Sequence, residues 1–117
     1  MQQPPVLDET VLAELREVMG SDFETLVESY GRDGGQRLDA LRQAVAQGDA
    51  DQARQQAHSF KGSSSNLGAR RVAAQCLELE QLARTGDLSA LAERLDPLED
   101  AFNESCRSLR ALTAVAG

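Results

Sequence analysis

The segment DADQARQQAHSFKGSSSNLG, residues 49–68, has no β-branched residue and one aromatic, yet its apolar and small side chains keep a helical spacing. Ala53, Ala57, Phe60, Ser64 and Leu67 recur at intervals of three and four. At about 100° per residue these positions fall within about 40° of one direction, which predicts a helix with a single inner face. Gly48-Asp49 provides a stop for the preceding element and a cap for this one, and Gly68 marks its end.

The same grammar runs through the rest of the chain. Apolar positions recur at three and four nearly everywhere and no period-two run stands out, so the fold class is all-α. Asp8 caps a short first helix that carries Val11, Leu12, Leu15, Val18 and Met19 and stops at Gly20. Ser21-Asp22-Phe23-Glu24 has the pattern of a capping box and opens a second helix with the seam Phe23, Val27, Tyr30, Gly34, Leu38, Leu41 and Val45. Gly31, Gly34 and Gly35 weaken its middle by about 1 kcal/mol each relative to Ala. A kink or a loop at GRDGG is therefore the alternative to one continuous helix. Continuity is favoured because the seam keeps its register, and Gly34 on that seam would let a neighbouring helix come close. A fourth helix is expected from about Ala69 to Thr85, with Val72, Cys76, Leu79 and Ala83 inward. After Gly86-Asp87, a last helix runs through Leu91, Leu95, Leu98, Phe102, Leu109 and Leu112, with a kink or restart at Asp96-Pro97. Four long amphipathic helices on tight turns predict an antiparallel, up-down-up-down four-helix bundle, with the short N-terminal helix packed over one end.

A chain of 117 residues can bury roughly 60–70% of its unfolded surface, so it needs neither a metal nor a disulfide to fold. Cys76 and Cys106 have no C-x-x-C or Cys/His ligand spacing and read as free core thiols. Residues 1–6 read as a disordered N-terminus and 7–117 as a single domain. The N-terminal stretch lacks the regions of a signal peptide and no apolar run reaches membrane-spanning length, which predicts a cytoplasmic protein. With 12 Lys and Arg against 19 Asp and Glu, the formal charge of −7 disfavours nucleic acid and anionic lipid. A monomer without bound cofactor or metal is expected.

His58, the only histidine in the chain, lies about 140° from the inner direction of its helix and is expected to be exposed. Arg54 is one turn before it, Lys61 and Gly62 are one turn after, and Ser65 is two turns along. An exposed helix interior would be more stable by about 1 kcal/mol with Ala in place of Gly62. Access offers a reason for the glycine: without a side chain there, a partner backbone or a phosphoryl group can approach the imidazole. A neutral imidazole is a good nucleophile near neutral pH and can carry a phosphoryl group reversibly. Lys61 and Arg54 would offset the charge on the transferred oxygens. No phosphate-binding glycine loop or kinase motif accompanies them, so the chain could relay a phosphoryl group but not take one from ATP unaided. Serine chemistry is disfavoured, because Ser64 points inward and no triad partners are suitably spaced.

AHSFKGSSSNLGA, residues 57–69, resembles the signature of histidine-containing phosphotransfer (HPt) domains. Its matching residues are His58, Phe60, Lys61, Gly62, serines 63 to 65, Leu67 and Gly68. CLELEQLAR, residues 76–84, is similar to the helix that follows in that family. The resemblance covers almost the whole chain. It implies a four-helix bundle in which His58 accepts a phosphoryl group from a receiver-domain aspartate of a hybrid sensor kinase and passes it to the aspartate of a response regulator. It further implies Lys61 as the phosphoryl-stabilising cation, Gly62 as the access residue, and Mg²⁺ held by the receiver rather than by this chain. Glu80 occupies the place of a Glu or Gln that hydrogen-bonds the imidazole in many members; an ordinary solvated glutamate is the alternative. Arg54 rests on the shared helix face more than on the motif. Docking is expected on the outer face of the second and third helices, through exposed apolar residues. Competing readings are an interaction module that binds receivers or other partners without carrying phosphate, and a hydrolase with His58 as general base.

Overall fold

The computed structural model describes residues 3–115, the side chains of 114 and 115 excepted. Its helices are α1 (Glu9–Met19), α2 (Asp22–Ala46), α3 (Ala50–Asn66), α4 (Arg70–Arg84), α5 (Leu88–Glu93) and α6 (Leu95–Val115), and there is no strand among the described residues. The long helices α2, α3, α4 and α6 form the expected antiparallel bundle: α2 packs against α3 and α6, and α4 packs against the same two. α1 lies over one end, where Asp8 N–H donates to the Gly68 carbonyl at 2.7 Å. Gly68 has φ +75°, and a Cβ placed there would stand 3.3 Å from the Asp8 carbonyl oxygen, with Val11 and Leu12 in van der Waals contact. Both the left-handed backbone and the close approach of α1 therefore call for glycine at this junction.

Three aspartates start helices as expected. Asp8 accepts from Thr10 N at 3.1 Å and Val11 N at 3.2 Å, Asp49 from Gln52 N at 3.0 Å, and Asp87 from Ala90 N at 3.1 Å. Each such cap contributes about 1 kcal/mol. The capping box expected at Ser21 does not form. Ser21 is already helical, with φ −67° and ψ −19°, and makes no side-chain cap bond. Phe23 N–H bonds instead to the Gly20 carbonyl at 3.2 Å, so the chain enters α2 through a turn.

α2 runs unbroken through Gly31, Gly34 and Gly35. A Cβ at Gly34 would collide with the Cε1–Cζ edge of the Phe102 ring on α6, which is why the seam carries a glycine there. The rings of Tyr30, Phe60 and Phe102 then meet at centroid distances of 6.3 Å (Tyr30–Phe60), 5.5 Å (Tyr30–Phe102) and 5.5 Å (Phe60–Phe102), joining α2, α3 and α6. Buried Tyr30 Oη and Ser64 Oγ satisfy one another at 2.8 Å, and burial raises the Tyr30 phenol well above its ordinary value. Ser64 is thus inward, as expected from its phase.

The last predicted helix is interrupted near the expected place, but the break falls at Arg94, between α5 and α6. Pro97 is the third residue of α6, where a missing N–H costs nothing because first-turn N–H groups have no intrahelical acceptor. Backbone bonding resumes with Leu98 N–H to the Arg94 carbonyl at 3.1 Å. On α1, Val18 is exposed rather than part of the inner face. Cys76 and Cys106 are buried free thiols, and burial pushes Cys76 up to about 12. Of residues 1–6, expected to be disordered, 1 and 2 lie outside the described residues; the Pro4 carbonyl accepts from Arg71 Nε at 3.0 Å. No helix among the described residues is long and apolar enough to cross a membrane.

Candidate functional site

α3 presents two faces, set by its sequence phase. Ala53, Ala57, Phe60 and Ser64 are fully buried, whereas the His58 side chain keeps 63% of its surface in solvent. The imidazole is nonetheless oriented. Its Nδ1 lies 3.1 Å from Oε2 of Glu80 on α4, and Lys61 Nζ donates to Oε1 of the same carboxylate at 2.7 Å. Glu80 is only 5% exposed, so the solvated alternative for this residue is set aside by its position.

The Lys61 ammonium holds the Glu80 carboxyl below the usual carboxylate range; burial opposes this, and the contact with His58 adds to it. An ionised carboxylate can only accept hydrogen bonds. In the neutral imidazole the proton therefore sits on Nδ1, donated to Oε2, and Nε2 retains its lone pair. A buried carboxylate on one helix thus stands against Nδ1 of an exposed base on the next.

Gly62 is helical and exposed, and a Cβ added there would meet nothing within 4 Å. Nothing within this chain's own packing calls for a glycine at that position. Arg54 shares the outer face, but its guanidinium pairs with Asp51 Oδ1 at 3.0 Å, one turn back, and not with the Glu80 cluster. A cation that the sequence reading did not name takes the neighbouring place: Arg84 Nη2 donates to Glu80 Oε2 at 3.3 Å. Its signal was the i,i+4 spacing from Glu80 along α4. Ser63 Oγ returns its bond to the Phe60 carbonyl at 3.2 Å. Among the described residues no group of three or more His, Cys, Asp or Glu side chains converges as a metal site.

The outer face of α2 and α3 carries a shallow groove of about 310 Å³ lined by Leu26, Ser29, Tyr30, Asp33, Ser63, Asn66 and Leu67. The exposed apolar residues expected on this face are not found there. Among the described residues the large exposed ones are Val18 on α1 and Leu77 on α4.

Residues 25–112 match the sequence profile of the Hpt domain. The chain belongs to the Hpt family. Among solved structures, histidine-containing phosphotransfer protein B (HptB) from Pseudomonas aeruginosa PAO1 is similar with 39% identity and a TM-score of 0.88, over 92% of this chain and 93% of that one. A rice protein, whose assignment as a histidine-containing phosphotransfer protein is itself provisional, shares the fold at a TM-score of 0.84. It is 17% identical, over 93% of this chain and 82% of its own. No curated protein matches the sequence significantly.

Proposed function

We propose that this Hpt-family chain is a phosphocarrier in which His58 takes a phosphoryl group from the aspartyl phosphate of one receiver domain and hands it to the aspartate of another. The observation that carries the reading is the exposed imidazole held by a buried carboxylate, His58 Nδ1 to Glu80 Oε2 at 3.1 Å. In the forward step the Nε2 lone pair attacks phosphorus and the N–P bond forms. The P–O bond to the donor aspartate breaks, and that carboxylate leaves with the electron pair. The proton on Nδ1 stays in place against Glu80, which stabilises the positive charge the ring acquires. Transfer to the second receiver reverses these bonds.

Lys61, which rests on Glu80 Oε1 at 2.7 Å, is the cation for the transferred oxygens, and Gly62 is the gap through which the receiver approaches. Arg54 adds positive charge one turn away. Mg²⁺ is supplied by the receiver, and this chain contributes no autokinase activity. Hybrid sensor kinases and response regulators are the partner class, met on the α2–α3 face in the cytoplasm by a monomer of this chain.

The test is incubation with a receiver domain radiolabelled on aspartate, in Mg²⁺. Label should move to this chain and be lost in acid while surviving base, as a phosphoramidate is. Binding of the receiver without movement of label would favour a phosphate-independent interaction module instead.

A further inference from the structure

The phosphotransfer reading leaves one cation of the cluster without a role. We propose that Arg84 is a positioning residue of the transfer site, pinning Glu80 from one turn along α4 so that Oε2 stays on His58 Nδ1. The inference rests on the reading of His58 as phosphoacceptor.

Glu80 Oε2 is shared: Arg84 Nη2 is 3.3 Å from it and His58 Nδ1 is 3.1 Å from it, while Lys61 Nζ holds Oε1 at 2.7 Å. The last torsion of a glutamate side chain is broad and two-fold, so one cation on one oxygen leaves the carboxylate free to pivot. Two cations on opposite oxygens, one from α3 and one from α4, fix its plane. Oε2 is then aimed at Nδ1 before any partner arrives. The charged groups around the ring are Arg54 and Lys61 from α3 and Glu80 and Arg84 from α4, and Arg54 is engaged by Asp51.

The Arg84 side chain is 65% exposed, so its grip on Glu80 is weak and screened by salt. Removing it should loosen the tautomer rather than abolish transfer, with a slowing of about two- to fivefold at low ionic strength. The competing view makes Arg84–Glu80 an ordinary i,i+4 pair that steadies α4 alone, and that role would leave the imidazole unchanged.

Nitrogen NMR of the unphosphorylated, histidine-labelled chain decides between them, because His58 is the only histidine. The neutral wild-type ring should be the Nδ1–H tautomer. Arg84→Ala should show a growing Nε2–H population, and Arg84→Lys should restore most of the wild-type signature. Transfer rates in a cycle of Arg84→Ala, Glu80→Ala and the double variant give the second reading. Arg84→Ala should slow transfer two- to fivefold alone and add nothing in the Glu80→Ala background. An unchanged tautomer in Arg84→Ala, or equal slowing in both backgrounds, overturns the proposal; the latter would place Arg84 directly on the phosphoryl group. A wild-type chain that accepts no phosphoryl group would instead defeat the underlying reading, while the tautomer measurement would still decide the role of Arg84.

Discussion

Replacing Gly62 with Ala should move stability and function in opposite directions. Gly62 is helical and exposed and a new Cβ meets nothing within 4 Å, so no steric cost opposes the gain in helix propensity. That gain is about 1 kcal/mol. With an unfolding entropy near 2.1 cal/mol/K per residue, it corresponds to a rise in Tm of about 4 °C for a chain of this length. The same methyl stands one turn from His58, on the outer face where the proposed transfer would bring a receiver's aspartyl phosphate to Nε2. A displacement of about 1 Å from the reactive geometry can cost as much as a hundredfold in rate, and about a tenfold loss of transfer is expected here. Calorimetry or urea titration gives the first quantity, and single-turnover transfer from a labelled receiver gives the second. Stabilisation with undiminished transfer would refute access as the reason for the glycine. Destabilisation would refute the open space assigned to it.

Gly34→Ala should do the reverse on the buried face. Its Cβ collides with the Phe102 ring, so overpacking of about 1–3 kcal/mol opposes a helix gain of about 1 kcal/mol, and urea titration should show a net loss of up to about 2 kcal/mol. Tyr30→Phe leaves Ser64 Oγ buried without its 2.8 Å partner, which should cost about 1–2 kcal/mol in the same assay. Glu80 has a depressed native pKa, so its stabilising effect is complete above the ordinary carboxylate range and fades as pH falls through the native value. The stability gap between wild type and Glu80→Gln should therefore be widest near neutral pH and close on acidification; a gap independent of pH would contradict the ion pairing described.

Much of the bundle was legible because its signals are local. The seams of α2, α3 and α4 follow directly from three-four spacing, and the stops at Gly48, Gly68 and Gly86 all have positive φ. Gly34 could be read as a point of close approach because it sits on the seam, although only the folded chain shows that Phe102 fills the space. Three features depend on contacts beyond the local pattern. Ser21 has the right neighbours for a capping box, but the Gly20 turn delivers it already helical. Glu80 lies about 70° from the inner direction of α4, a boundary position whose burial depends on which neighbour covers that flank. It is α3, through Lys61 and His58, that covers it. Arg54 and Arg84 both lie one turn from key site residues. Asp51 claims the first and Glu80 the second, and helix phase alone does not rank those partners.

The central claim is that His58 Nε2 carries the phosphoryl group, and His58→Gln tests it most directly. The His58 side chain is mostly exposed, so the variant should fold as the wild type does. Both proteins would be incubated with the same aspartate-phosphorylated receiver and Mg²⁺, followed by addition of a second, unphosphorylated receiver. Wild type should acquire acid-labile phosphate and discharge it to the second receiver, and His58→Gln should acquire none and relay none. Acid-labile phosphate on a folded His58→Gln protein, or a wild-type chain that remains unlabelled, would contradict the account.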